Sequence, residues 1–142
     1  MNFEALKNIR NELELTQEDI AQILNVKRGT YASWECGSDT IPTLQLYKLA
    51  EYYQINIDYL VGLNKKHKVF CNKELNKEAV GKNLLDLRKK LNMAQLPFAE
   101  SLNINQSTYW AYENGKTLIT TTTLITLAKN YNVSIDKILN RS

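Results

Sequence analysis

The chain has 142 residues, 44% of them hydrophobic, and 18 Lys/Arg against 15 Asp/Glu give a net charge of +3; this is room for one ordinary domain or two small ones. Five Gly and two Pro are too few for a turn-rich β sandwich and point to helices. The apolar runs are too short to span a bilayer, MNFEALKNIR lacks the apolar core of a signal peptide, and Cys36 and Cys71 fit reduced thiols in a cytoplasmic protein.

In chain order, Phe3, Leu6, Ile9, Arg10 and Leu13 recur at three- to four-residue spacing, the pattern of a helix with one apolar face. Thr16 is placed to cap a second helix, where a hydroxyl accepting a free backbone N–H contributes about 1 kcal/mol. Glu18 and Asp19 in its first turn favour its dipole. Ile20, Ala21, Ile23 and Leu24 are its expected buried stripe, and Asn25, which tolerates left-handed backbone, its end. A third helix is expected from near Lys27 to near Cys36, stopped by Gly37. Thr43 is expected to cap a fourth, LQLYKLAEYY, and Asn56 a short fifth, IDYLVG, stopped by Gly62.

The same plan then recurs. At an offset of 78 residues the halves align without a gap, and about a third of positions are identical. Arg10 meets Arg88, Gln17 meets Gln95, Leu24-Asn25 meets Leu102-Asn103, Thr30-Tyr31 meets Thr108-Tyr109, Glu35 meets Glu113 and Gly37 meets Gly115. Val80, Leu84, Leu87 and Leu91 make the first helix of this copy, with Asn105, Thr121 and Ser134 as expected caps of its third, fourth and fifth. Two domains, 1–64 and 77–142, are thus expected around a basic linker, 65–76, within NKKHKVFCNKEL. From Asn64 to Asn76 that chain extends to about 40 Å at most and averages about 20 Å as a coil.

Charge is divided unevenly. Residues 1–64 hold five Lys/Arg and nine Asp/Glu, residues 65–83 six and two, residues 84–142 seven and four. A polyanion is drawn mainly to the latter two segments.

Arg10, Leu13, LTQEDIAQIL, Asn25-Val26, GTYASWECG, Pro42, Leu49-Ala50 and INIDYLVG, in that order, resemble the Cro/repressor-type helix-turn-helix family, also called Xre-like. The second copy resembles it again, with YENGKT after its third helix. The resemblance implies an all-α fold of two tandem five-helix lambda-repressor-like DNA-binding domains. The second copy departs at Ala94, which cannot cap as Thr16 does, and at Thr120, which stands where the first has Pro42. Pro97 falls in a first helical turn, where a missing N–H is tolerated.

An α-helix fits the major groove, and its first exposed turn reaches base edges. The first copy offers Lys27, Arg28 and Thr30 there, with Ser33 one turn on; the second offers Asn105, Gln106, Ser107 and Thr108. Arg28 suits guanine through two donors, and the amide of Gln106, similar to the family's base-reading Gln, suits adenine. The resemblance implies that Gln17 and Gln95 bridge to phosphate and support the reading helix. It also implies that Asn114 and Lys116 hold the backbone, where the first copy has only Cys36 and Ser38. Arg10 with Glu35, and Arg88 with Glu113, resemble the family's structural ion pair. Tyr31, Trp34, Tyr109 and Tyr112 are expected in the core, whereas Trp110, whose counterpart is Ala32, is expected at an edge.

The expected function is a sequence-specific double-stranded DNA-binding transcriptional regulator, a repressor, located in the cytoplasm and on the nucleoid when bound to DNA. Either both copies read half-sites about 34 Å apart, or one reads DNA while the other builds a homodimer. The alternative is a protein-interaction module (antitoxin, adaptor or inhibitor) in which a copy has lost DNA affinity; the acidic first half suits it. No enzyme, metal, cofactor, membrane or small-molecule ligand is expected. The one histidine, His67, sits among linker lysines, the cysteines lack ligand spacing, and no Gly-rich phosphate loop is present.

Overall fold

A computed structural model of the chain describes residues 3–71 and 73–141. The described residues form ten α-helices and one isolated antiparallel bridge, between Ile55 and Lys68. They fall into two compact units, Met1–Phe70 and Cys71–Ser142. None of the described helices is long and apolar enough to cross a membrane.

The first unit contains α1 (Glu4–Glu12), α2 (Gln17–Leu24), α3 (Arg28–Cys36), α4 (Thr43–Tyr53) and α5 (Ile57–Leu60). Thr16 caps α2 in a reciprocal box: its hydroxyl accepts from Asp19 N at 3.0 Å, and Asp19 accepts from Thr16 N at 2.8 Å. Asn25 ends α2 at φ 56° and Gly37 ends α3 at φ 84°, the left-handed conformations expected of both. Leu6, Ile20, Tyr31, Ile41, Leu46, Leu49, Ile57 and Leu60 fill the core.

Three first-unit expectations need correction. Leu13 is 50% exposed because α1 has ended at Glu12 and the helical period no longer applies there. Ile23 is 40% exposed: Ile20, Ala21 and Leu24 already fill the face of α2 turned to α3 and α4. Thr43 does not cap α4. Pro42, fixed at φ −63°, takes the cap position and Thr43 is the buried first helical residue.

Asn56 stands at the cap position of α5 but spends its side chain elsewhere. Its amide donates to Lys65 O and accepts from His67 N, both at 3.0 Å, as an Asn can do with both ends at once. Asn56 N donates to His67 O and Val69 N to Gln54 O. Val69 is buried, and Lys66 pairs with Glu12 at 3.0 Å. Residues 65–69, expected as linker, therefore run as a strap on the first unit. With them included, residues 1–70 hold eight Lys/Arg against nine Asp/Glu, and residues 71–142 ten against six.

The second unit repeats the order with α6 (Lys77–Lys90), α7 (Gln95–Ser101), α8 (Gln106–Glu113), α9 (Thr121–Tyr131) and α10 (Ile135–Ile138). Helix α6 has 14 residues against 9 in α1, and Asn76 starts it by accepting from Ala79 N at 2.9 Å. Asn105 and Ser134 cap α8 and α10 as expected. Thr121 does not cap α9. Thr120 does, accepting from Thr123 N at 3.3 Å, so the residue that replaces Pro42 supplies the bond proline cannot make. Ala94 makes no side-chain cap on α7.

Gly81 permits a close approach of α6 to the end of α8. A Cβ there would meet the backbone carbonyl oxygens of Glu113 and Tyr112 at 2.4 and 2.7 Å. The C-terminal end is tied down by Asn83, which donates to Ile138 O and Asn140 Oδ1, and by the buried pair of Arg141 with Asp136 at 2.8 Å.

Candidate nucleic-acid interface

In each unit a helix, a tight turn and a second helix place a polar edge over an aromatic core. In the first, Val26 N returns to Ala21 O at 2.9 Å and Lys27 is extended at ψ 148°, which launches α3 at an angle to α2. Tyr31 and Trp34, three residues apart, are buried at 0 and 6% exposure and meet edge-on with centroids 6.4 Å apart. That pins one face of α3 inward and turns Lys27, Arg28, Gly29 and Thr30 to solvent. No side-chain bond engages Lys27 or Arg28 among the described residues, so both cations are free to meet a ligand. Ser33 is half-buried, its hydroxyl donating to Thr30 O at 2.7 Å.

The second unit reaches the same geometry with other residues. Tyr109 and Tyr112 are buried, and Phe98 replaces Ile20 and packs edge-on to Tyr109 at 5.1 Å. Asn105 accepts from Thr108 N and from Ser107 Oγ, both at 2.8 Å, so these side chains serve to fix the start of α8. Thr108 is half-buried; Gln106 is exposed with an unengaged amide among the described residues.

Gln17 and Gln95 have a structural task in both units. Arg10 donates to Glu35 at 2.9 and 2.7 Å and to Leu15 O at 2.9 Å, and Gln17 donates to the same carboxylate at 3.5 Å. Arg88 donates to Glu113 at 3.0 and 2.8 Å and to Met93 O at 3.0 Å, and Gln95 donates to Glu113. One Arg–Glu pair thus ties the end of the third helix to the first helix, the following loop and the start of the second. Burial pushes Glu35 up, but the hydrogen bonds and charge of Arg10, with the bond from Gln17, outweigh it and hold the carboxyl below its ordinary 4.5. Its bond to Glu35 raises Arg10 further. Both glutamines are half-buried, leaving one flank toward solvent.

Beyond the third helix the units diverge. Asn114 is exposed, but its amide donates to Trp110 O at 2.9 Å; Lys116 is exposed on the following turn. In the first unit Cys36 donates to Ser38 Oγ at 3.3 Å. Trp110, expected at an edge, is 47% exposed and follows Gln106 by four residues, on the same face of α8. No group of His, Cys, Asp and Glu among the described residues is arranged to hold a metal ion.

The sequence model of the helix-turn-helix family matches twice, at residues 6–60 and 84–138. The chain belongs to the helix-turn-helix family. Among curated helix-turn-helix proteins, it is 30% identical over 63 residues to the uncharacterized HTH-type transcriptional regulator YobD of Bacillus subtilis (strain 168), covering 44% of this chain and 56% of that one. It is 31% identical over 70 residues to YqaE of the same organism, described likewise, with 49% and 60% covered. It is also 34% identical over 67 residues to the antitoxin PezA of Streptococcus pneumoniae serotype 4, with 43% and 42% covered. The chain thus spans about half the length of these relatives. No solved structure matches significantly.

Proposed function

We propose that this protein is a sequence-specific double-stranded DNA-binding transcriptional regulator that reads the major groove with the first turns of α3 and α8. The observation that carries this reading is the outward, unengaged pair of Arg28 and Gln106 on helices whose opposite faces are anchored by buried aromatics. Arg28 offers two parallel donors that match guanine, and Gln106 a donor and an acceptor that match adenine. Since the two helices present different chemistry, the preferred site joins two unlike half-sites rather than forming a palindrome. Bound across a promoter, such a protein acts as a repressor by occupying it. Affinity rests mainly on the second unit, which has the excess of basic residues and the exposed Lys116. Lys27, Gln17 and Gln95 contribute phosphate contacts, the glutamines from their exposed flanks.

Fluorescence anisotropy on one selected duplex tests this. Gln106→Ala is expected to weaken binding about tenfold or more, and Arg28→Ala less. A loss confined to Arg28→Ala overturns the assignment to the second unit. The slight acidic excess of the first unit and the similarity to an antitoxin favour a second reading, in which that unit binds another protein. Salt separates the two: DNA affinity falls steeply from low to moderate salt, whereas an interaction module shows no DNA retention at low salt.

A further inference from the structure

The chain has two tryptophans, and its units treat them oppositely. Trp34 is buried at 6% exposure, whereas Trp110 is 47% exposed. A lone exposed aromatic is ordinary; the placement of this one is not. Trp110 lies on the same face of α8 as Gln106, one turn on and about 6 Å further along the axis. The other face of α8 is occupied by Tyr109 and Tyr112. Asn114, a further turn along, is drawn back onto the helix by its bond to Trp110 O at 2.9 Å. The outward stripe of α8 is therefore an amide followed by an indole. In the first unit the same stripe runs Arg28, Ala32, Cys36, and Ala32 is half-buried and short.

This inference rests on the reading that α8 enters the major groove. Within it, the geometry points to Trp110 as a second specificity-determining residue, packed against the C5-methyl of a thymine about two base pairs from the base met by Gln106. The thymine methyl is the one apolar group that base edges offer in that groove. A helix of about 10–12 Å diameter nearly fills a groove about 12 Å wide, so a side chain as large as indole on the inserted face meets the base edges. Burying an indole against a methyl gains apolar contact, and against a polar edge it strands unpaired donors and acceptors. The second unit thus selects A·T pairs twice, by the amide of Gln106 and by the ring of Trp110. The first unit, with Ala32, lacks the second selection.

The test uses the full chain and a duplex it selects from a random pool, with each thymine replaced singly by deoxyuridine, which removes only the methyl. One replacement, near the base whose selection Gln106→Ala abolishes, is expected to weaken wild-type binding about fourfold, the value of one buried methyl. The same replacement leaves Trp110→Ala unchanged, and circular dichroism of that variant matches wild type. Acrylamide quenching of the fluorescence component missing from Trp110→Phe falls when the duplex is added. Selective wild-type binding indifferent to every uracil overturns the proposal, as does equal uracil sensitivity in Trp110→Ala. A weaker Trp110→Ala with no uracil effect in wild type places the ring on sugar or on another chain and overturns it too. If no duplex is enriched, the DNA reading itself fails; if Gln106→Ala weakens binding while uracil does not, only the role of Trp110 fails.

Discussion

The two units share the ion-pair scaffold and the aromatic anchor of the third helix and differ in what surrounds them. Both gather three segments on one carboxylate, through Arg10–Glu35–Gln17 and Arg88–Glu113–Gln95. Both bury two aromatics on the inner face of the third helix. Yet the outward stripe changes from Arg28, Ala32 and Cys36 to Gln106, Trp110 and Asn114. The closing devices change as well. The first unit is finished by the strap of residues 65–69 bound through Asn56, the second by a longer α6, Asn83 and the buried Arg141–Asp136 pair. The lesson is that repetition preserves what positions the third helix and leaves free what that helix presents.

The largest expected effect breaks this comparison on one side only. Gly81→Ala forces a Cβ against the carbonyls of Glu113 and Tyr112; overpacking against backbone costs about 3 kcal/mol. Hydrogen exchange should show the loss confined to the second unit, because its counterpart in the first is Phe3, a large buried side chain.

Next come the shared networks. Arg10→Ala strands Glu35, whose side chain is 4% exposed, and should cost the first unit about 3 kcal/mol; Arg88→Ala should do the same to the second. Acid probes the first network without mutation. Because the carboxyl of Glu35 is held below 4.5, its contribution is complete above that pH and lost as pH falls through the lowered value. Exchange protection in α3 should be flat from pH 7 to about 5 and decline below 4.5; protection rising on acidification contradicts the network.

Caps give a smaller effect and a reciprocal one. Thr16→Ala should cost about 1 kcal/mol, and Ala94→Thr should return a similar amount to α7. Thermal melts that leave Ala94→Thr unchanged mean that its backbone does not present N–H groups to a hydroxyl there. The smallest effect concerns charge: Lys116→Ala should lower the slope of log affinity against log salt by about 1, and Ser38→Ala should leave it unaltered.

Much of this was legible in the sequence. Period, caps and the 78-residue repeat anticipated the ten described helices, and the family resemblance gave the Arg10–Glu35 and Arg88–Glu113 pairs, but Gln17 and Gln95, expected on phosphate, also bond to those glutamates. What escaped depends on long-range choices. Asn56 reads as a cap because local rules favour it, but the strap nine to eleven residues later claims its amide. Thr43 and Thr121 read as caps because threonine suits that position, but each helix starts one residue earlier in register, so that Pro42 stands at the cap of α4 without a side-chain bond and the Thr120 hydroxyl caps α9. Of the expected contacts, the side chains of Arg28, Lys27, Gln106 and Lys116 are unengaged among the described residues, while Ser33, Asn105, Ser107 and Asn114 are bonded within their own helices or turns. Sequence spacing gives a side chain's direction, not the local carbonyl or N–H that captures it.

The most direct measurement is selection from random duplexes by the full chain, repeated with Arg28→Ala and with Gln106→Ala. The account predicts a two-part preferred sequence in which the first variant loses selection for a guanine and the second, at a different position, for an adenine. Enrichment of no sequence at low salt, or the same preference from all three proteins, would contradict it.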